Sequence, residues 1–161
     1  MMRVIPGWHP MIVHFPLALI VTATACLTLA RLLSAPRYVP VLATVGTWNL
    51  CLGALAVLFS LGSGLAAVIG LQVGVAAHQA ISAHVKSAML TTILVLAVAV
   101  WRGAGTAQDS RPSWAFFVVL WAATAALIVT GYRGGQNVYR YGVGVGVVQG
   151  DLVDPASKKA P

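Results

Sequence analysis

The chain carries four histidines, and all of them fall in two short stretches: HPMIVH at residues 9–14 and HQAISAH at 78–84. Each stretch opens a long apolar segment, where an ionisable side chain is expensive and therefore functional by default. If both segments are helical, His14 lies about 7 Å deeper than His9, and His84 about 9 Å deeper than His78. Histidines of like depth then pair, His9 with His78 and His14 with His84. Two parallel helices offering imidazoles at matching depth can clamp a flat macrocycle, because bis-histidine ligation needs one Nε2 on each side of the iron. Two such pairs point to two b-type haems. A single zinc or copper ion fits less well, since these spacings turn the members of each pair about 120 to 140° apart on their own helix.

The elements that must position these residues are membrane spans. Of the 161 residues, 59% are hydrophobic and only 8% charged, a balance outside that of soluble domains. No formal charge occurs between Arg37 and Lys86, a run that holds one span and the start of another at about 20 residues each. The sequence predicts an all-α membrane protein, a bundle of four transmembrane helices at about 10–34, 41–71, 78–101 and 113–132. These helices make up a domain over 1–135, followed by an extramembrane tail over 136–161, whose YGVGVGVV stretch reads as an extended segment against a partner.

An even number of spans puts both termini on one side, together with all four histidines. The opposite loops hold Arg31, Arg37, Arg102 and Arg111 against Asp109. By the positive-inside rule these loops are cytoplasmic, so the termini and histidines face the periplasm across a bacterial inner membrane. Lys158 and Lys159 in the tail argue mildly the other way. The net charge of +7 is scattered through loops and tail, which indicates topology rather than nucleic-acid binding.

Other residues have both a chemical and a purely structural reading. Gly62, Gly64, Gly134 and Gly135 lie near the histidine end and could admit a planar ligand, although small residues alone more often serve helix packing. Arg133, Arg140, Tyr132 and Tyr141 are available to haem propionates, or are interfacial anchors. Lys86, two residues beyond His84, could meet a propionate, a quinone or a partner's acid, or simply snorkel. Pro10 and Pro16 suit a helix start, and Pro16 could kink the first turns and aim His14 inward. Cys26 and Cys51 show no metal-ligand spacing and read as small buried residues. With Asp109, Asp151 and Asp154 as the only acids, no catalytic triad or carboxylate pair is visible within the helices.

HPMIVHFPLAL at 9–19 and GYRGGQNVYRYGVGV at 131–145 resemble the domain-of-unknown-function family 2231, small bacterial membrane proteins with four helices. His9 and His14 match its opening motif; Gly134, Gly135, Tyr141 and Gly142 match its closing one. The resemblance implies kinship with di-haem membrane cytochromes b, haem binding, and periplasmic partners such as cytochrome c or Rieske-type modules.

The expectation is a membrane cytochrome b passing electrons between a periplasmic redox protein and quinone or another membrane subunit, as an electron carrier rather than a self-sufficient enzyme. One alternative is a haem-free structural or assembly subunit of a larger complex. Another, a metal or proton transporter, needs a continuous polar path, whereas the half of the bundle away from the histidines reads as apolar.

Overall fold

The computed structural model describes residues 8–69, 71, 73–105 and 112–143. Within them the chain forms a short α1 (Trp8–Ile12), then α2 (His14–Leu32), α3 (Val39–Val68), α4 (Val75–Ala104) and α5 (Trp114–Tyr139), with no strand among the described residues. With α1 and α2 counted as one span, four segments are long and apolar enough to cross a membrane.

The break between α1 and α2 falls at Val13. Pro16 has no N–H for the Ile12 carbonyl and its ring crowds that oxygen, which stops the first helix there. The kink expected of Pro16 is thus present, but His14 points outward and is exposed. Pro16 itself is buried, and a 200° turn from 14 to 16 places the two on opposite faces.

Two of the boundaries that differ from the sequence expectation bear on the site. Helix α4 begins at Val75, so His78 sits one turn inside it rather than at its start. Helix α5 runs on through Gly134 and Gly135 to Tyr139. Its terminator is Gly142, at φ 64°, where Gly142 N–H donates to the Val138 carbonyl and Val143 N–H to the Asn137 carbonyl. The Gly142 bond is the 5→1 closure of an αL cap, which needs the left-handed conformation glycine adopts without a Cβ clash. The Arg111 and Asp109 assignments, and the tail readings from residue 144 onward, lie outside the described residues.

The helices form two hairpins. α2 packs chiefly on α3, and α4 on α5; α3 with α4 and α2 with α5 then close a ring, without diagonal contact between α2 and α4 or α3 and α5 among the described residues. Glycine sets the first hairpin's closeness. A Cβ on Gly46 would come within 2.7 Å of Leu27, and one on Gly53 within 2.5 Å of Ile20, the small-residue packing that membrane helices use where no hydrophobic drive separates protein from lipid.

Polar clasps add to it. Thr24 and Thr124 share a 2.7 Å hydroxyl bond between α2 and α5, Trp121 Nε1 donates to Thr28 Oγ1, and Arg102 Nε donates to Thr47 Oγ1 between α4 and α3. Each such bond within a membrane is worth about 0.6 kcal/mol.

The core is apolar, with Leu27, Leu50, Val95, Val98, Phe116, Phe117 and Leu120 sealing the half remote from the histidines. The outer surface is apolar too: Phe59, Ile93 and Val118 are more than 60% exposed. A helix hydrophobic on all sides belongs in lipid, and the protein is a multi-pass membrane protein.

Candidate cofactor site

Two of the four histidines turn inward, one from each hairpin. His9, on α1, lies against α3. A Cβ on Gly64 would stand 2.9 Å from His9 Cε1, so the ring occupies the space a side chain there would need. Its Nδ1 is 3.0 Å from Ser63 Oγ. That hydroxyl donates its own proton to the Ser60 carbonyl, which the His9 ring also reaches. With its proton committed, Ser63 can only accept, so Nδ1 carries the hydrogen.

His84, on α4, lies against α5 in the same way. A Cβ on Gly134 would stand 3.1 Å from His84 Cε1, and Nδ1 is 3.2 Å from the Thr130 carbonyl. A carbonyl only accepts, so here too Nδ1 is the donor. Thr130 is held in turn by a buried 2.9 Å hydroxyl bond to Thr91.

The two seats follow one plan. In each, a glycine admits the imidazole edge-on, and the carbonyl four residues before it, Ser60 for Gly64 and Thr130 for Gly134, receives or stands behind the Nδ1 hydrogen. Fixing the proton on Nδ1 leaves the neutral ring's lone pair on Nε2, the arrangement that backbone carbonyls impose on metal-ligating histidines. Among the described residues neither Nε2 has a hydrogen-bond partner. His9 and His84 are also near enough for their charges to interact, although α1 and α4 make no backbone contact. Each is half-buried against the next span, His9 on α3 and His84 on α5.

Pairing by depth joins His9 with His78 and His14 with His84, whereas the two half-buried histidines are His9 and His84. His14 and His78 are both exposed, and His14 turns its Nδ1 back to the Pro10 carbonyl of its own chain at 2.6 Å. Helix α4 begins three residues earlier than its apolar stretch suggests, and Val13 interrupts the first span.

The remaining sequence candidates divide. Gly64 and Gly134 are in the seats. Gly62 and Gly135 have open space where a Cβ would go, and Lys86 is exposed. Arg133 is exposed and donates to the Ala83 carbonyl, tying α5 to α4 one residue before His84. Tyr132 accepts from Gln136 Nε2 and, with Gly135, Tyr139 and Arg140, lines a shallow concavity of about 520 Å³ on the outer side of α5. Arg140 lies over the ring of Tyr141. Tyr132, Gly135 and Arg140 are therefore turned away from the inward pair.

Sequence reasoning missed Ser63, Thr130 and Asn137. Thr130 was detectable through a repeat, because Ser60-x-x-x-Gly64 and Thr130-x-x-x-Gly134 have the same spacing, whereas Ser63 has Arg133 at the matching position. Asn137 lies in a stretch read as tail.

The fold defines a class: a four-span, all-helical membrane bundle. A family model described as Predicted membrane protein (DUF2231) matches residues 6–147, and the chain belongs to that family. No curated protein and no solved structure matches it.

Proposed function

We propose that this protein is a membrane-embedded b-type cytochrome in which His9 and His84 hold the haem iron through Nε2. The observation that carries this reading is the repeated seat: two inward imidazoles, each with Nδ1–H donated and Nε2 unpartnered. The residues fit the group. A haem brings four nitrogens of its own and asks the protein for two, which suits described residues that hold no cluster of three or more His, Cys, Asp or Glu. The glycine at each seat frees the space an imidazole needs to set its edge against the neighbouring helix. When bound, haem supplies a one-electron iron couple. The chain itself contributes ligation, fixed tautomers and an apolar surround.

In this reading the protein passes electrons between a periplasmic redox protein, of cytochrome c or Rieske type, and quinone or another membrane subunit. The inward pair supports one haem per chain. A second would have to recruit His14 and His78 from exposed positions. The sealed apolar half of the bundle disfavours a transporter, which needs a polar path through it.

The test is an absorption spectrum of the purified, dithionite-reduced protein with a pyridine haemochrome assay. A b-type α band at one haem per chain is expected. Folded protein purified from haem-replete cells without that band would refute the proposal, leaving the haem-free structural subunit.

A further inference from the structure

We infer that the Asn137 side-chain amide binds an acidic group of the ligand held between His9 and His84; resting on the haem reading, that group is a propionate. Asn137 is only 7% exposed, yet no described group hydrogen-bonds its side chain. Its amide therefore keeps donor and acceptor capacity that the described protein groups do not use. The amide tip is not sealed in: the fully occluded, unpartnered side-chain atom among the described residues is Arg31 Nε, at the other end of the bundle, and neither amide atom of Asn137 joins it. The amide therefore borders reachable space.

Its placement is defined by α5. Thr130, Gly134 and Asn137 fall on one stripe of the helix, and the first two form the seat of His84. Asn137 stands about 4.5 Å beyond Gly134 toward the membrane surface on the histidine side. An amphiphilic ligand anchored at the histidines must direct its carboxylates that way, past this amide, to reach water. The backbone there is held, because the Asn137 carbonyl takes the Val143 N–H at the C-terminal cap of α5. The cations nearby are engaged elsewhere: Arg133 with the Ala83 carbonyl and Arg140 with the Tyr141 ring. A neutral donor can hold a carboxylate without adding a fixed positive charge beside the iron ligands.

The full-length apoprotein, titrated in detergent with haemin and with haemin dimethyl ester, tests this by absorbance. The ester keeps the iron and macrocycle but has no free carboxylate. Wild type should bind haemin about tenfold more tightly than the ester, the order expected of one hydrogen bond to a charged group. Asn137→Leu should bind both at the ester's affinity with an unchanged bis-histidine spectrum, and Asn137→Asp should bind haemin more weakly still. Equal affinity of wild type for the two compounds overturns the inference and leaves the haem reading standing, with no need for a variant to fold. So does a preference that survives in Asn137→Leu but disappears in Arg133→Ala or Arg140→Ala. Binding of neither compound by wild type overturns both.

Discussion

A histidine ligand is set by what its second nitrogen does, and the two inward histidines differ in that respect. His84 donates to a main-chain oxygen that no substitution at Thr130 removes, whereas His9 donates to the removable hydroxyl of Ser63. Ser63→Ala should therefore leave haem bound but weaken the Nδ1–H partner, lower the donor strength of the imidazole and raise the midpoint potential in a redox titration. An unchanged potential would mean that the Ser60 carbonyl alone fixes the ring. The histidines themselves should separate into pairs: His9→Ala and His84→Ala each abolish the α band, while His14→Ala and His78→Ala retain it. Loss of the band in His14→Ala would restore the pairing by depth.

At the scale of the element, glycines of one sequence type have opposite roles. Valine at Gly64 or Gly134 would place atoms where an imidazole lies and should expel haem. Alanine at Gly62 or Gly131, where space is open, should retain haem and stabilise its helix by up to about 1 kcal/mol; thermal melts followed by circular dichroism and by the α band would separate the two effects. The sequence distinguishes none of these, since a glycine's use depends on which neighbour faces it. Helix number and type were legible because composition and length decide them. The ends of α4 and α5 were not, because Gly134 and Gly135 look like a helix stop unless the left-handed Gly142 is known to provide it. His9 and His84 were legible as candidates, but that these two turn against Gly64 and Gly134 depends on which helix faces each ring, which the sequence does not say. The break at Val13 gives its own prediction. Pro16→Ala restores the missing Ile12 partner, merges α1 with α2, and should lift His9 from Gly64, so haem is lost while helix content by circular dichroism stays the same or rises.

For the whole molecule, the question is which side the histidine seats face. The arginines with described side chains on the far side are Arg31, whose guanidinium lies 5.0 Å from the centre of the Trp114 ring, Arg37 and Arg102. Arg31 and Arg102 fall in the last turns of α2 and α4, where cations favourably meet the negative helix ends, so local electrostatics accounts for part of the clustering. The loop between α3 and α4, at the histidine end, has no Lys or Arg. Dipole complementarity explains why a cation sits at a helix end, but it leaves the choice of leaflet to the asymmetry between loops, which is what orients short-looped proteins during insertion. The expected outcome is a periplasmic histidine end. In a background with Cys26 and Cys51 replaced by alanine, a membrane-impermeant maleimide should label Ala76→Cys, in the first turn of α4, in intact cells, and Ser34→Cys, between α2 and α3, only after permeabilisation. Both positions are exposed, so accessibility reports the side of the membrane rather than packing. The reverse pattern would turn the seats toward the cytoplasm, and the electron donor would then have to be sought there.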